Sequence, residues 1–347
     1  MTPPVPRATL APGYTVSRVI KGGWQLAGGH GPLDLDAAIA DMAAFVDAGI
    51  TTFDCADIYT GVEALIGRFL AGRAEGPDVQ VHTKYVPDLS TLGTLSAADV
   101  AAAVARSRAR LGTRSLDLVQ FHWWDYDRPG LLDTARWLAD EREQGHVRHL
   151  GATNFDTPRL AALLDAGIPL VSHQVQYSVL DRRPAARMAA LCRERGVGLL
   201  CYGAVAGGFL SERYLDRPDP PALENRSLVK YRLIVEEIGG WTRFQRILRV
   251  LAEVGARHGA GIGTVAVAWV LAQPGVAGVI VGARHRGHLA DAVTAASLAL
   301  DAADLRTIGD VLDDGPGVGG DVYALEREKG GRHAAIMRYD LNATAER

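Results

Sequence analysis

The chain has 347 residues, 48% of them hydrophobic and 22% charged, with a net charge of −3 and a pI of about 6.4. This is the composition of a globular protein with ample core, and its charge balance leaves no basic field for nucleic acid or an anionic membrane. Cys55, Cys192 and Cys201 are its only cysteines. A sparse, odd set without CxxC argues against a disulfide framework or a structural zinc site.

The opening stretch "MTPPVPRATLAPGYTV" lacks the apolar core of a secretory signal, so a cytoplasmic enzyme is the expectation. Short Val/Ile/Leu-rich runs then predict strands over Thr15–Lys21, Ile50–Asp54, Val79–Lys84, Leu116–His122, Val147–Thr153, Leu170–Tyr177, Gly198–Tyr202 and Val276–Gly282. Amphipathic segments lie between them: Leu35–Ala48, Val62–Ala71, Ala97–Leu111, Leu131–Gln144, Pro158–Ala166, Pro184–Arg195, and the pair Arg243–Arg257 and Ile262–Leu271. Two more helices, Gly287–Leu298 and Ala302–Leu312, follow the last strand. Phe209–Trp241 reads as a long connection rich in Pro, Arg and Glu. Gly263–Gly282 is apolar for about the length of a membrane span, but Gln273-Pro274-Gly275 divides it into a helix and a strand.

Strand and helix alternate, which means parallel pairing through right-handed crossovers. The strands lack clean polar alternation, as strands covered on both faces do. Eight such units fit a closed (β/α)8 TIM barrel in a single domain, residues 1–314, better than a doubly wound sheet. The latter would carry GxGxxG after its first strand, and "KGGWQLAGGHG" has the wrong spacing. The remaining residues, 315–347, form an extension that could cover the barrel mouth, dock on a neighbouring subunit or stay flexible.

In a barrel the C-terminal strand ends share one face, where active sites gather. That face would receive Gly23 and Trp24, Asp54 and Tyr59, Lys84, His122 with Trp123 and Trp124, Thr153 and Asn154, Gln174, Tyr202 to Ala204, and Gly282 to Arg284. Asp54 would need a buried partner, and Lys84 is the obvious one. A lysine beside a phenol favours the phenolate, so Tyr59 is expected to have a lowered pKa and to serve as a general acid, with His122 bonding the same oxygen. Singly, each has a plainer reading: a turn aspartate, a packing tyrosine, a solvated lysine, a core histidine. Joint placement at one rim is what favours chemistry. Asp57 and Glu63 read as surface or helix N-terminal charges. A strand-end lysine also admits a Schiff-base aldolase. A metal-dependent hydrolase is disfavoured, since no His-x-His or clustered ligand set is present.

The pieces "FDCADIYTGVEALIG", "VHTKYV", "DLVQFHWWD", "LGATNF", "SHQVQYSVLDR", "LLCYGAVAGGFLS" and "GVIVGARHRGHL" fall at these strand positions. Together, from about Val16 to Leu298, they resemble the aldo-keto reductase superfamily. The resemblance implies reduction of an aldehyde or ketone, or oxidation of an alcohol or sugar, with NADP(H) favoured and NAD(H) possible. It implies Asp54, Tyr59, Lys84 and His122 as the catalytic four. It assigns Asn154 and Gln174 to the nicotinamide carboxamide and Tyr202 to the ring. Backbone from Gly203 and Ala204 through Gly208, Leu210 and Ser211 would cover the pyrophosphate, and Gly282, Ala283 and Arg284 the adenosine phosphate, with Trp24 and Asp54 bordering the cofactor. Trp24, Tyr85, Trp123 and Trp124 would line the substrate pocket, one of the paired tryptophans packing instead beneath a loop. Cys55 stands where threonine is usual, His288 where Gln or Arg is common, and Ala292 where an adenine-contacting Asn is common, while Gly61 would serve the turn after Tyr59. Some members of the superfamily are cofactor-binding regulatory subunits, which is the alternative role. The partner expected is a small carbonyl or sugar; oligomeric state is left open.

Overall fold

Residues 5–27, 33–73, 76, 78–282 and 284–342 are described in a computed structural model. Eight parallel strands close into a ring: β3 (Val19–Gly22), β4 (Thr52–Asp54), β5 (Gln80–Tyr85), β6 (Leu116–Phe121), β7 (Val147–Thr153), β8 (Leu170–Gln176), β9 (Gly198–Tyr202) and β10 (Val276–Gly282), with β10 returning to β3. Around them run α1 (Leu35–Asp47), α2 (Val62–Ala71), α3 (Ala97–Leu111), α4 (Leu131–Glu143), α5 (Thr157–Asp165), α6 (Arg187–Glu194), α7 (Arg226–Glu237), α8 (Gly240–His258), α9 (Ile262–Leu271), α10 (Leu289–Ser297) and α11 (Ala302–Asp313). This is the (β/α)8 barrel expected. The helix starts follow local chemistry. Asp34 caps α1 through Asp36 and Ala37, and Ser96 with Asp99 forms a capping box on α3. The apolar stretch around Pro274 divides into α9 and β10, and among the described residues no helix is long and apolar enough to cross a membrane.

Two elements differ from expectation. The run Thr15–Lys21 is broken at Arg18, and its first half, β2 (Tyr14–Ser17), pairs antiparallel with β1 (Arg7–Ala11). The Pro12-Gly13 turn, with Gly13 at φ +72, makes this hairpin. It plugs the barrel floor: Leu10, Tyr14 and Val16 pack on the inward side chains Ile20, Leu118, Leu200 and Ile280. The Tyr14 hydroxyl meets His82 Nε2 at 3.0 Å. The second difference is α7, which lies inside the supposed connection Phe209–Trp241 and is capped by Asn225. Its buried residues Leu228, Tyr231, Ile234 and Val235 do recur at helical spacing, but the prolines just before it and its Arg, Lys and Glu residues masked the pattern.

Beyond α11 the chain crosses back over the C-terminal face of the barrel. Val322 and Tyr323 are buried there, followed by the single turn α12 (Ala324–Arg327). The Arg327 guanidinium donates to the carbonyls of Trp123 at 2.7 Å, Trp124 at 3.2 Å and Asn154 at 2.7 Å, and lies 4.2 Å from the Tyr126 ring centre. Glu326 is paired with Arg183 at 3.1 Å and Lys230 at 3.6 Å, and Arg183 is also held by Asp181 at 2.7 Å. Farther on, the Asn342 amide donates to the Val86 carbonyl. Burial alone would raise the Glu326 pKa, but the cations of Lys230 and Arg183 outweigh it and hold the carboxyl down to about 2.

Two outcomes follow. Leu10→Ala opens the floor plug and is expected to cost about 2–4 kcal/mol in denaturant unfolding. Glu326→Gln takes the paired carboxylate from buried Lys230 and leaves Arg183 with Asp181 alone, and should cost about 3 kcal/mol near pH 7. The folded carboxyl titrates near 2 rather than its ordinary 4.5, so its contribution is complete above about pH 4.5 and is lost as pH falls through about 2. The stability gap between variant and wild type, followed by unfolding at a series of pH values, should close over that window.

Candidate active site

β4 is only three residues long and delivers Asp54 at its end, in register with His82 on β5 and one inward position below Lys84. Lys84 Nζ donates to Asp54 Oδ2 at 2.7 Å and to the Cys55 carbonyl at 2.8 Å. The two side chains are only 6% and 5% exposed. Asp54 Oδ1 accepts from Gln174 Nε2 at 2.6 Å and from Gln120 Nε2 at 3.0 Å. Both oxygens of the carboxylate therefore have donors, one of those donors charged, which is what allows a charge to be buried here. Burial by itself would lower the Lys84 pKa, but the charge of Asp54, then Tyr59, more than offsets it, and the net shift is upward. A lysine so firmly protonated is unsuited to Schiff-base attack, which needs a lowered pKa.

Tyr59 follows in the turn after β4, its ring centre 5.2 Å from Lys84 Nζ, with the Trp24 ring edge-on at 5.0 Å. Gly61, at φ +78, reverses the chain into α2 as expected. The phenol differs from expectation. Burial raises its pKa and prevails over the lowering from Lys84, so Tyr59 keeps its proton near neutral pH.

His122 stands just beyond β6, 2% exposed. Its Nδ1 lies 3.1 Å from the Thr153 carbonyl, and Nε2 is buried without a partner. A carbonyl only accepts, so Nδ1 carries the proton and neutral Nε2 offers a lone pair. Burial first, then the nearby Arg327 charge, hold the His122 pKa down to about 3. The ring meets Trp124 edge-on at 4.2 Å and Tyr323 at 5.8 Å. Among the described residues no hydrogen bond joins His122 to Tyr59.

Asn154 stands after β7 at φ +61, and its Oδ1 accepts from the Tyr202 hydroxyl at 2.9 Å. The backbone N–H of Asn154 donates to the Gln174 carbonyl at 2.9 Å. Among the described residues Asn154 Nδ2 and Gln174 Oε1 keep no protein partner, which leaves one donor and one acceptor, the complement of a primary carboxamide. The segment after β9 is shaped for close approach. Gly203 at φ +76 could not carry a Cβ, which would stand 2.5 Å from the Tyr231 hydroxyl of α7. Ala204 and Leu210 are buried, and the Ser211 hydroxyl closes on the Gly208 carbonyl at 2.7 Å. At the end of β10, Gly282 and His288 are exposed and Arg284 half-buried, His288 lying 3.9 Å from Asp291; Ala283 is outside the described residues.

Several expected wall residues are elsewhere. Tyr85 points out of the barrel, stacked on Phe121 at 6.3 Å under α3, because strand alternation sends the neighbour of inward Lys84 outward. Trp123 is fully buried against Phe121, its indole N–H donating to the Asp125 carbonyl; it is the tryptophan beneath the loop. Trp124 remains at the mouth, roofed by Tyr339 at 5.2 Å. Trp24 is 39% exposed and donates to the Ser227 hydroxyl of α7. Asp57 and Glu63 are not surface charges, although Glu63 does lie in the first turn of α2, as the helix N-terminal reading expected. They lie 3% and 1% exposed in the layer between sheet and helices, Glu63 bonded to Thr83 and Arg110. Burial, then Glu63, pushes Asp57 up to about 8.

Other residues at the mouth carried no strong sequence signal. Tyr323, Arg327 and Tyr339 come from the extension, and Lys230, 5.1 Å from the Tyr202 ring centre, from α7. Gln120 could have been found by parity, two residues before His122 on the same strand. Among the described residues no group of three or more His, Cys, Asp or Glu side chains is gathered to hold a metal.

Comparison with known proteins gives this geometry a context. Flagellar radial spoke protein 5 of Chlamydomonas reinhardtii is 29% identical over 69% of this chain, which spans 57% of that protein's length. The NADH-specific methylglyoxal reductase of Escherichia coli (strain K12) is 26% identical, the match covering 86% of this chain and 96% of that one. The solved glycerol dehydrogenase of Gluconobacter oxydans shares the fold, with a TM-score of 0.75 at 23% identity over 88% of this chain and 94% of that chain. The pattern of the Aldo/keto reductase family matches residues 18–313, nearly the whole barrel, and the chain belongs to that family.

Proposed function

We propose that the protein is a nicotinamide-dependent oxidoreductase that reduces an aldehyde or ketone, or oxidises the corresponding alcohol or sugar, with Tyr59 as the general acid or base. The observation that carries this reading is the buried Lys84–Asp54 pair beneath the Tyr59 ring, beside an orphan nitrogen of His122. When bound, the nicotinamide supplies or accepts the hydride. The chain's own groups handle the proton. Tyr59 holds one at neutral pH and gives it to the carbonyl oxygen; in oxidation the phenolate takes it back, stabilised by the Lys84 ammonium. Neutral His122 has only a lone pair at Nε2, so it accepts from a hydroxyl and fixes that oxygen rather than donating to a carbonyl. This division leaves Tyr59 as the proton donor.

Asn154 Nδ2 and Gln174 Oε1 suit the carboxamide, and Tyr202 the ring. The backbone from Gly203 to Ser211 suits the pyrophosphate. Arg284 and His288 beside α10 suit an adenosine phosphate, so NADP(H) is favoured, with NAD(H) the alternative that the Escherichia coli relative's name keeps in view. The cysteines among the described residues, Cys55, Cys192 and Cys201, are buried free thiols, in keeping with a reducing cytoplasm. One observation favours a second reading, a cofactor-binding subunit with little turnover: the extension covers the mouth, and Asp54, Lys84 and His122 are each no more than 6% exposed.

Tyr59→Phe is expected to bind NADPH or NADH as wild type does, by fluorescence titration, while turnover falls about 10²–10⁴-fold. A nearly active variant removes Tyr59 from the mechanism. Because its pKa is raised, carbonyl reduction should show no loss from Tyr59 ionisation between about pH 6 and pH 9 in a kcat profile. Tight cofactor binding without oxidation of NADPH across a panel of aldehydes, ketones and sugars selects the second reading.

A further inference from the structure

We propose that Gln120 is a positioning residue that fixes the orientation of the Gln174 amide and, through Asp54, ties the carboxamide subsite to the Lys84–Tyr59 pair; this rests on the functional reading above. Gln120 is fully buried on the inner wall of the barrel, on the strand side shared with Leu118 and His122. The position below it, Leu118, is apolar and also fully buried. An apolar side chain would fill position 120 at less cost than an amide, which must satisfy both of its ends.

Those ends are committed. Gln120 Nε2 donates to Asp54 Oδ1 at 3.0 Å, and its Oε1 accepts from Gln174 Nε2 at 2.9 Å. Gln174 Nε2 also donates to Asp54 Oδ1, at 2.6 Å. A carboxylate accepts and never donates, so both amides must turn nitrogen towards Asp54. With its nitrogen spent on Asp54 and Gln120, Gln174 has its oxygen left for a ligand. Asp54 sets the direction of that amide, and Gln120 Oε1 takes the second N–H, which would otherwise be free to turn. Room for this arrangement comes from β7. A Cβ at Gly151 would stand 3.2 Å from Gln120 Cγ and 2.5 Å from Ser172 Oγ.

Gln120→Met keeps the shape and removes both bonds, so folding, read by thermal unfolding, should be retained. Dissociation constants are measured by fluorescence for the better of NADPH and NADH, and for the same nucleotide without nicotinamide, 2′-phospho-ADP-ribose or ADP-ribose. The variant should bind the intact cofactor about 5–10-fold more weakly and the truncated nucleotide as wild type does. In a Gln174→Met background the substitution at 120 should add nothing, since the two act through one contact. Unchanged cofactor affinity, equal weakening for both nucleotides, or additivity with Gln174→Met overturns the proposal. A wild-type protein that binds neither intact cofactor overturns the functional reading itself, a separate outcome.

Discussion

An ammonium and a carboxylate 2.7 Å apart, sealed inside a ring of strands, is the constraint around which this molecule is arranged. Two charges out of water are tolerated only when every free lone pair and proton has a partner. Asp54 therefore draws amides from β6, two strands away, and from β8 across the ring, and Lys84 draws the backbone carbonyl just beyond β4, the strand next to its own. The barrel interior is graded as a result. Its floor is mostly hydrocarbon, supplied partly by the N-terminal hairpin and interrupted by the Tyr14–His82 hydrogen bond, and the charges gather towards the rim where the pair sits. The same pair places a positive charge beside Tyr59 without a metal ligand set among the described residues.

Much of this was legible because its signals are short-ranged. The run Val276–Gly282 is apolar on both faces, and the spacing of Asp54, Lys84 and His122 at strand ends needs only the periodicity of a βα unit. What escaped depends on distant surroundings. Pro12-Gly13 is a turn signal just ahead of the run Thr15–Lys21, and its meaning emerges only when the hairpin finds the barrel floor. α7 follows a proline-rich stretch and mixes its apolar stripe with Arg, Lys and Glu, so it merges with the polar connection before it. Asp57 and Glu63 look like solvated charges until Arg110 and the backbone of Val86 come to meet them.

The phenol was the subtler case. A lysine neighbour argues for easy ionisation, and the neighbour is there, yet loss of water around the ring acts in the opposite direction and is larger. Sequence gives the partner and not the depth. The indoles at 123 and 124 carry a related lesson: adjacent, chemically identical residues have opposite fates, one packed beneath a loop and one facing the imidazole, in the irregular segment that follows the end of β6 at Phe121.

The extension has a consequence for how the molecule can vary. Its anchors, the carbonyls of Trp123, Trp124, Asn154 and Val86, come from the ends of three neighbouring strands and are all main-chain groups. A roof pinned by main-chain acceptors does not depend on which side chains those four positions carry, so the rim beneath it is free to change its lining while the cover stays fastened.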